Sequence, residues 1–375
     1  VQAKAGNSIR LTIDRDIQYV AENAIARAVK SSMAKSGTVI VMDPKTGQIL
    51  AHATAPTFDP NKPVKLSDVH NASVEEVYEP GSTGKVMTLA AAIEENQVTP
   101  TTVFTVPYAL KTKYATFHDH ERHPNQQLTT AGILAVSSNT GAIQIGAKLS
   151  DQKLYDYLRA FGVGSSTDSG LPGESPGLIN SPKNWSGTSK PTMSFGQGYS
   201  LTAMQATSIF ATIANDGVRV EPTVIAGTQD AQGHYTPAKS RKSIRVISAE
   251  TAQKMRLMME SVVSANGTAP SAAIPGYRIA GKTGTAQRVV NGHYSGYTAS
   301  FIGFAPADNP RYVISVTIQA PQGMHWGGVL GGPVFKEVMS YVLEAKHIPP
   351  SNTKVIPIPL NAAQLAATAL KETKQ

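Results

Sequence analysis

Cysteine is absent from the 375 residues of this chain. Its absence excludes disulfide bonds, thiol catalysis and cysteine-ligated metal sites together, and it suits an exported protein. No apolar run approaches the roughly 18 residues that a membrane-spanning helix needs. The chain opens on Val1 and shows no signal peptide. The sequence therefore predicts a globular chain without spanning segments.

Charge and composition narrow the class further. The formal net charge is +8, but the basic residues are scattered and no nucleic-acid motif is present. We therefore expect no nucleic-acid partner and only a mild attraction to anionic surfaces. No composition change marks a boundary within residues 1–345, which predicts one domain there. Residues 346–375 turn Pro-rich and then Ala- and Lys-rich, which predicts a loosely attached tail.

The most informative feature is a serine followed three residues later by a lysine, Ser82 and Lys85. Positions i and i+3 of a helix lie on one face. A serine hydroxyl needs an adjacent base to become a nucleophile, and a partly neutral lysine can be that base. Ser82 follows a Pro-Gly break, which predicts a helix start that favours developing negative charge. The same spacing recurs without this setting at Ser32/Lys35, Ser150/Lys153 and Ser351/Lys354.

Two further fragments accompany this pair. Ser137-Ser138-Asn139 links two apolar segments, and Lys282-Thr283-Gly284-Thr285 follows a strand-like approach. Two other stretches share the letters but not the setting. Ser264-Ala265-Asn266 runs into a loop, and Lys45-Thr46-Gly47 lies in a predicted hairpin turn. The three fragments are individually weak, but their order and local settings together indicate one catalytic site.

In this order the fragments resemble the signature of the penicillin-binding proteins and active-site serine β-lactamases. The chain resembles the transpeptidase domain of a class B penicillin-binding protein, closest to the cell-division type. The resemblance covers nearly the whole chain. It includes the family-like stretches 11–18, 39–47, 171–177, 194–198 and 331–335.

The residue pattern predicts an α+β fold. Residues 38–42 and 49–54 predict a hairpin, and residues 280–286, 299–305 and 312–319 predict three strands. We expect these to form an antiparallel sheet of about five strands flanked by helices. A mainly helical lobe would lie beside it and contain the Ser82 helix. Residues 14–33 predict a helix capped by Asp14, and residues 333–343 predict a closing helix.

The resemblance implies a role for each motif residue. Ser82 would be the nucleophile that forms an acyl-enzyme, and Lys85 would be its base, with a pKa lowered by burial and by Lys282. Ser137 would relay a proton toward the leaving amine. Asn139 would hold Lys85 and contact the substrate amide. Lys282 would supply positive potential from the opposite wall.

The resemblance also implies the substrate and its contacts. Thr283, Gly284 and Thr285 would form the substrate-binding strand, with the two hydroxyls on the terminal carboxylate. Backbone N–H groups of Ser82 and Thr285 would form the oxyanion hole. The substrate would be a peptidoglycan stem peptide ending in D-Ala-D-Ala, carried on a lipid-linked precursor, and β-lactams would acylate Ser82. Neither a metal nor an organic cofactor is required.

Location and partners follow from the same resemblance. The natural protein would carry an N-terminal membrane anchor and a further non-catalytic region, and this chain would be a soluble fragment lacking both. It would act at the extracytoplasmic face of the bacterial membrane. Its partners would include a membrane glycosyltransferase and division proteins.

Two other functions remain open. One is a hydrolase, either a β-lactamase or a D,D-carboxypeptidase, that uses the same three motifs. Class A β-lactamases deacylate with a loop glutamate, and Glu174 lies in a loop here, although we favour a loop-stabilising role for it. The other is a non-enzymatic β-lactam sensor or division scaffold.

Two stretches that contain histidine lie outside the three motifs. The alternation of charge in residues 118–123 favours a solvated loop over a metal site. His325 and Trp326 would either border the acceptor side of the cleft or pack.

Overall fold

The structure, a computed structural model, describes residues 6–64, 70–290 and 293–372. Short 3₁₀ turns lie at Gly81–Gly84, Pro182–Asn184 and Pro270–Ala272. No helix in these ranges is long and apolar enough to cross a membrane. The α-helices are α1 Arg15–Ser31, α2 Ala72–Glu75, α3 Lys85–Glu94, α4 Thr130–Ala135, α5 Asn139–Gly146, α6 Asp151–Ala160, α7 Ser189–Ser194, α8 Ala203–Ala214, α9 Ala249–Val263, α10 Gly327–Ala345 and α11 Ala362–Glu372.

The strands form one central sheet and several small ones. They are β1 Ser8–Leu11, β2 Ser36–Met42, β3 Ile49–Ala55, β4 Val77–Tyr78, β5 Val103–Val106, β6 Ala109–Lys111, β7 Thr116–His118, β8 Gln126–Thr129, β9 Leu201–Thr202, β10 Val218–Val220, β11 Ile225–Gln229, β12 Tyr235–Pro237, β13 Ser243–Arg245, β14 Ala280–Val290, β15 His293–Ala305 and β16 Tyr312–Gln319.

The central sheet has five antiparallel strands in the order β14-β15-β16-β2-β3. This confirms the predicted α+β fold and the predicted composition of the sheet. The β2–β3 turn forms because Asp43 accepts a hydrogen bond from the Lys45 N–H at 2.8 Å, and Gly47 takes a φ of 76°. Lys45-Thr46-Gly47 is therefore a turn and not a catalytic motif.

Helices cover both faces of this sheet. Phe301 on β15 packs edge-on against Phe335 of α10, with ring centroids 4.9 Å apart, and α1 contacts α10. Thr207 of α8 shares a 2.7 Å hydrogen bond with Ser315. Ser315 is the neighbour along β16 of Val316, which pairs with Phe301. Successive strand residues point to opposite faces, so α8 lies on the face opposite α10.

Helix α3 is the central element of the helical lobe. Every residue from Lys85 to Ile93 is buried, and α3 contacts α4, α5, α6 and α9. A helix that is apolar all round is expected in a core, so the rigid, buried helix predicted after Ser82 is present. This position places Lys85 at the boundary between the lobe and the sheet.

Helix α1 agrees with the sequence pattern, whereas α10 does not. Asp14 caps α1 by accepting from the N–H groups of Asp16 and Ile17. The closing helix, however, begins at Gly327, two turns before the expected start at Pro333. Pro333 lacks the N–H that would bond to the Val329 carbonyl. Val329 is 52% exposed, so water can replace that bond.

The division of the chain after residue 345 stays a prediction. In the structure, residues that follow α10 nevertheless make specific contacts with the body. Ile348 is buried, and the Leu360 carbonyl accepts a 3.1 Å hydrogen bond from the Thr129 N–H.

Replacing Phe301 should test the packing of α10 on the sheet. Phe301 is fully buried, and Phe301→Ala leaves a cavity between β15 and α10. We expect the free energy of unfolding to fall by about 3–5 kcal/mol, measured by urea denaturation. Tyr19→Ala is the control, because Tyr19 is 68% exposed and should change stability by less than about 0.5 kcal/mol. Equal losses in the two variants would contradict this packing.

Candidate active site

The three sequence motifs meet in one cleft. Its sheet wall is β14, an edge strand whose outer side is free to face the helices. Its helical wall is formed by α4, α5 and the link between them. Lys85 and Lys282 are fully buried beneath the cleft. The cavity has a volume of about 720 Å³, and its lining includes Ser82, Ser137, Asn139, Thr283 and Thr285.

Glycines hold the Ser82 turn against the sheet wall. Gly81 has a φ of 54°, a conformation that glycine adopts without a Cβ penalty. A Cβ at Gly81 would lie 3.0 Å from the Cβ of Ala286, and a Cβ at Gly284 would collide with β15 and with the turn itself. Ser82 therefore lies in the first turn of a short helix packed directly on β14, where N–H groups lack intrahelical acceptors.

Lys85 is positioned to accept the Ser82 proton. Its Nζ lies 3.0 Å from the Ser82 Oγ, donates to Asn139 Oδ1 at 2.8 Å, and donates to the Ser137 carbonyl. A neutral amine has two N–H groups and one lone pair. When Asn139 and Ser137 accept the two N–H groups, the lone pair remains for the Ser82 hydroxyl.

The protonation state of Lys85 fits this role. Burial lowers the pKa of Lys85 to about 7, with a smaller opposing effect of the Asp119 carboxylate. A lysine with the ordinary pKa of 10.5 is neutral in roughly one molecule in three thousand at pH 7. A pKa lowered to about 7 makes the neutral form of Lys85 a substantial fraction of the molecules at that pH.

Ser137 connects the two lysines. Its Oγ lies 3.3 Å from the Lys85 Nζ and 2.9 Å from the Lys282 Nζ. The backbone of Ser137 has a φ of 64°, a left-handed conformation that costs a non-glycine residue about 1–3 kcal/mol. This strained link directs the hydroxyl between the two walls, where it can pass a proton.

Lys282 crosses from the sheet wall to Ser137. Its Nζ also donates to the Thr283 carbonyl at 3.1 Å. Burial, and then repulsion from the Lys85 ammonium, hold the pKa of Lys282 well below its usual range. The two buried lysines therefore disfavour simultaneous protonation.

The residues of the predicted substrate-binding strand face two different surroundings. Thr283 and Thr285 line the cleft, where their hydroxyls contact Thr268 Oγ1 at 2.8 Å and the Gly327 N–H at 3.2 Å respectively. Gly284 instead lies against the Ser82 turn. Its contribution in the structure is the close approach of strand and turn.

Asp119 is the site residue that the sequence analysis missed. It is 8% exposed, so the expectation of a solvated loop is wrong for this residue. Its carboxylate accepts from Ser138 Oγ at 2.6 Å, from the Thr140 N–H at 2.9 Å and from the Asn139 N–H. These bonds fix the link that carries Ser137 and Asn139, at the start of α5.

The rest of residues 118–123 lies at the cleft mouth. His123 Nε2 contacts the Asp119 carboxylate at 3.1 Å, and the His120 ring meets Trp326 edge-on, with centroids 4.2 Å apart. His325 stacks on Tyr297 at 4.1 Å. In the described part of the chain, no group of three or more His, Asp or Glu side chains is arranged to hold a metal.

Glu174 does not belong to the cleft lining. Its carboxylate accepts from Ser166 Oγ at 2.9 Å and from the N–H groups of Thr167 and Ser169 at 2.8 and 2.7 Å. These bonds stabilise the loop 166–169, which is the role that the sequence analysis favoured.

The cleft contains a buried lysine beside a serine at a helix start. A second lysine and a bridging serine lie opposite them. This arrangement is typical of enzymes that transfer acyl groups through a serine. The model of the penicillin-binding protein transpeptidase domain matches residues 37–340. The chain therefore belongs to the penicillin-binding protein transpeptidase family, as the motifs predicted.

The relatives are of the PbpB, PenA and FtsI type, which confirms the predicted class B division group. The chain is 40% identical to the penicillin-binding protein PbpB of Mycolicibacterium smegmatis over 95% of its length, and it spans 57% of that relative. It is 38% identical to the probable peptidoglycan D,D-transpeptidase PenA of Neisseria flavescens, covering 95% of this chain and 88% of the relative.

A solved structure gives the same result. Penicillin-binding protein 3 of Mycobacterium tuberculosis, complexed with ampicillin, matches with a TM-score of 0.91 and 37% identity. The match covers 96% of this chain and 84% of that one.

The role of Asp119 can be tested with Asp119→Asn, which keeps the shape but removes the charge and one acceptor oxygen. We expect acylation of Ser82 by a fluorescent penicillin to slow by about tenfold or more at its optimum pH, because the Asn139 link loses charge-assisted bonds. The acid limb of the rate should also move to lower pH, because losing the Asp119 carboxylate lowers the pKa of Lys85 further. Rates measured from pH 5 to 9 check both effects.

Glu121→Gln is the matched control, since Glu121 is exposed and belongs to the same loop. It should leave the acid limb in place. The role of Asp119 would be refuted if both variants had the same pH profile as the unmodified chain.

Proposed function

We propose that this chain is a peptidoglycan D,D-transpeptidase that works through a Ser82 acyl-enzyme. The observation that carries the proposal is the 3.0 Å separation between the Nζ of the fully buried Lys85 and the Oγ of Ser82, which lines the cleft. The chain spans 57% and 55% of its two mycobacterial relatives. The activity of the whole protein is therefore part of the proposal.

Acylation begins with proton transfer from the Ser82 hydroxyl to neutral Lys85. The Ser82 Oγ attacks the carbonyl of the penultimate D-Ala, and the negative oxygen that forms is held by the Ser82 and Thr285 N–H groups. One such donor is typically worth a hundred- to a thousand-fold in rate. The tetrahedral intermediate collapses, the peptide C–N bond breaks, and Ser137 delivers a proton to the departing amine of D-Ala while it receives the former Ser82 proton from Lys85, which becomes neutral again.

The second half-reaction reverses these roles. The amine of a neighbouring stem peptide attacks the acyl-enzyme carbonyl, gives up a proton to Lys85 through Ser137, and expels Ser82, which regains its own proton. The product is an amide cross-link. No metal or organic cofactor takes part in these steps as written.

The polar groups at the sheet wall support the proposed choice of donor peptide. Thr283 and Thr285 offer two hydroxyls in the cleft, and Lys282 lies behind them with a 3.2 Å contact to Thr283 Oγ1. Two hydroxyl groups beside a buried amine suit a carboxylate, because the negative charge of a bound carboxylate favours the protonated form of Lys282. This arrangement supports recognition of a peptide that ends in a free carboxylate one residue beyond the attacked carbonyl, as D-Ala-D-Ala does.

The placement of Glu174 weighs against rapid hydrolysis. A class A β-lactamase uses a loop glutamate to activate the deacylating water, but Glu174 is engaged by loop donors and lies outside the cleft lining. We therefore infer that water reacts slowly with the acyl-enzyme. A D,D-carboxypeptidase and a sensor remain as the alternatives that experiment must separate.

The family and its division-type relatives support an extracytoplasmic site of action. We include in the proposal an N-terminal membrane anchor in the natural protein, lipid-linked precursor as donor, and a membrane glycosyltransferase and division proteins as partners. β-Lactams would act as donor mimics that acylate Ser82. The solved relative with ampicillin bound supports this last point.

The proposal predicts a long-lived adduct with fluorescent penicillin. The chain should become labelled at Ser82, and the label should persist for minutes to hours because the loop carboxylate of Glu174 lies outside the cleft lining. Ser82→Ala should show no label. The measurement is the fluorescence of the denatured protein band against time, with the labelled peptide identified by mass spectrometry.

Rapid loss of label with release of hydrolysed penicillin would favour a β-lactamase. Incubation with lipid-linked donor and an acceptor stem then separates the remaining classes. Cross-linked product that is absent with Ser82→Ala supports the transpeptidase, release of D-Ala without cross-links indicates a carboxypeptidase, and no reaction indicates a sensor or scaffold.

Lys85→Ala should abolish acylation while the fold survives, because the base is lost but the cavity remains lined by the same backbone. The rate of labelling should fall at least a hundred-fold, with the circular dichroism spectrum unchanged. Lys45→Ala is the control, since Lys45 shares the Lys-Thr-Gly letters but lies in the exposed β2–β3 turn. Normal labelling of Lys85→Ala would remove Lys85 from its assigned role.

A further inference from the structure

The chain beyond α10 runs from the sheet wall of the cleft to the helical wall. We name residues 348–361 the strap. Its first part contacts the residues that lead into β14, and its last part contacts the residues that begin α4. Strand β14 contains Lys282, and helix α4 leads to Ser137. The side chains of these two residues meet across the cleft.

The first anchor lies at the entrance to β14. The Ser351 N–H donates to the Gly276 carbonyl at 2.9 Å, and the Ser351 Oγ accepts from the Arg278 N–H at 3.1 Å. Arg278 Nη1 also donates to Thr353 Oγ1 at 2.8 Å. Arg278 is itself held by a buried ion pair with Glu260 of α9, at 2.6 Å. The strap is thus fixed two residues before the catalytic strand begins.

The second anchor lies at the start of α4. Thr129 is fully buried, caps α4, and donates from its N–H to the Leu360 carbonyl at 3.1 Å and from its Oγ1 to the Pro359 carbonyl at 2.7 Å. The strap passes so close to α4 that a Cβ at Gly132 would lie 1.8 Å from the Leu360 oxygen. Only a residue without a Cβ therefore fits at position 132 against the strap.

The part between the anchors is short and exposed. Residues 354–358 separate Thr353 from the second anchor at Pro359, and Val355 and Ile356 are 55% and 70% exposed. Four prolines, at positions 349, 350, 357 and 359, favour an extended and stiff backbone. A stiff connection transmits the position of one anchor to the other better than a flexible one.

We propose that the strap is a positioning element that sets the distance between the two walls of the cleft. The 2.9 Å contact between Lys282 Nζ and Ser137 Oγ joins those walls directly. Misplacement of catalytic groups by about 1 Å can cost as much as a hundred-fold in rate. Helix α9 also contacts both α4 and β14, so loss of the strap should reduce the rate without abolishing it.

The test compares two chain ends and one point variant. A chain that ends at Thr353 keeps the first anchor and loses the second. A chain that ends at Ala366 keeps the whole strap and Gln364, whose side chain accepts from the Leu360 N–H at 2.7 Å. Gly132→Ala displaces the strap sterically, and alanine favours the helix it lies in. Each is measured by its second-order rate constant for acylation by fluorescent penicillin.

We expect about a tenfold lower rate constant for the chain that ends at Thr353 and for Gly132→Ala, and no change for the chain that ends at Ala366. Gly132→Ala should have no further effect in the chain that ends at Thr353, because the atoms that clash with the new Cβ are absent. The strap's role would be overturned if the chain ending at Thr353 reacted at the full rate. It would also be overturned if Gly132→Ala slowed both chains equally.

A second readout separates this inference from the proposed function, on which its activity test rests. The chain has no cysteine, so spin labels at Lys148→Cys after α5 and Lys336→Cys on α10 are the only ones attached. Their distance distribution should broaden in the chain that ends at Thr353. If the full chain is not acylated, the proposed function is wrong, but the distances between the spin labels still test whether the strap positions the two walls. An unchanged distribution would overturn the strap.

Discussion

The chemistry proposed here depends on one constraint, the burial of an amine beside a serine hydroxyl. Lys85 has no exposed surface, and lowering its pKa from 10.5 to about 7 corresponds to roughly 5 kcal/mol of disfavour for its charged form. Helix α3 maintains this burial because α4, α5, α6 and α9 pack around it. The Asn139 amide oxygen and the Ser137 carbonyl oxygen accept hydrogen bonds from the Lys85 amine. Both acceptors are uncharged groups.

The positions of the two walls follow from that constraint. A neutral base is useful only when its lone pair faces the nucleophile, so the acceptors of its N–H groups must be fixed. Asp119 fixes Asn139 from the helical side, and the glycines at 81 and 284 allow β14 to touch the Ser82 turn. The strap adds a connection at the far ends of both walls. The cleft is therefore specified by elements from distant parts of the sequence.

The amino-acid sequence predicted the parts of this site that depend on local pattern. The hairpin β2–β3 has a proline and a glycine where turns need them, and the Ser82 helix has a break followed by an apolar run. The three motifs are recognisable because each is a short run of neighbouring residues in a local setting that the sequence shows. Asp119 could not be predicted, because its partners in the link before α5 lie about twenty residues away. Two of them are main-chain N–H groups, which nearly every residue has and which a sequence pattern therefore does not reveal.

The start of α10, which differs from its prediction, and the contacts made by the chain after α10 have similar causes. The start of α10 was placed too late because proline usually ends or begins a helix, whereas Pro333 is tolerated beside an exposed carbonyl. The segment after α10 has the composition of a loose tail, and composition does not report hydrogen bonds from Ser351 or to the Leu360 carbonyl. In each case a tertiary contact decides what local propensity leaves open.

The most direct test of the account is the titration of Lys85 itself. Nuclear magnetic resonance of the chain with carbon-13 at lysine Cε, with Lys85→Arg to assign the signal, would follow its charge from pH 5 to 11. The account predicts a midpoint near 7. A Lys85 that stays charged up to pH 10, as an exposed lysine does, would contradict it.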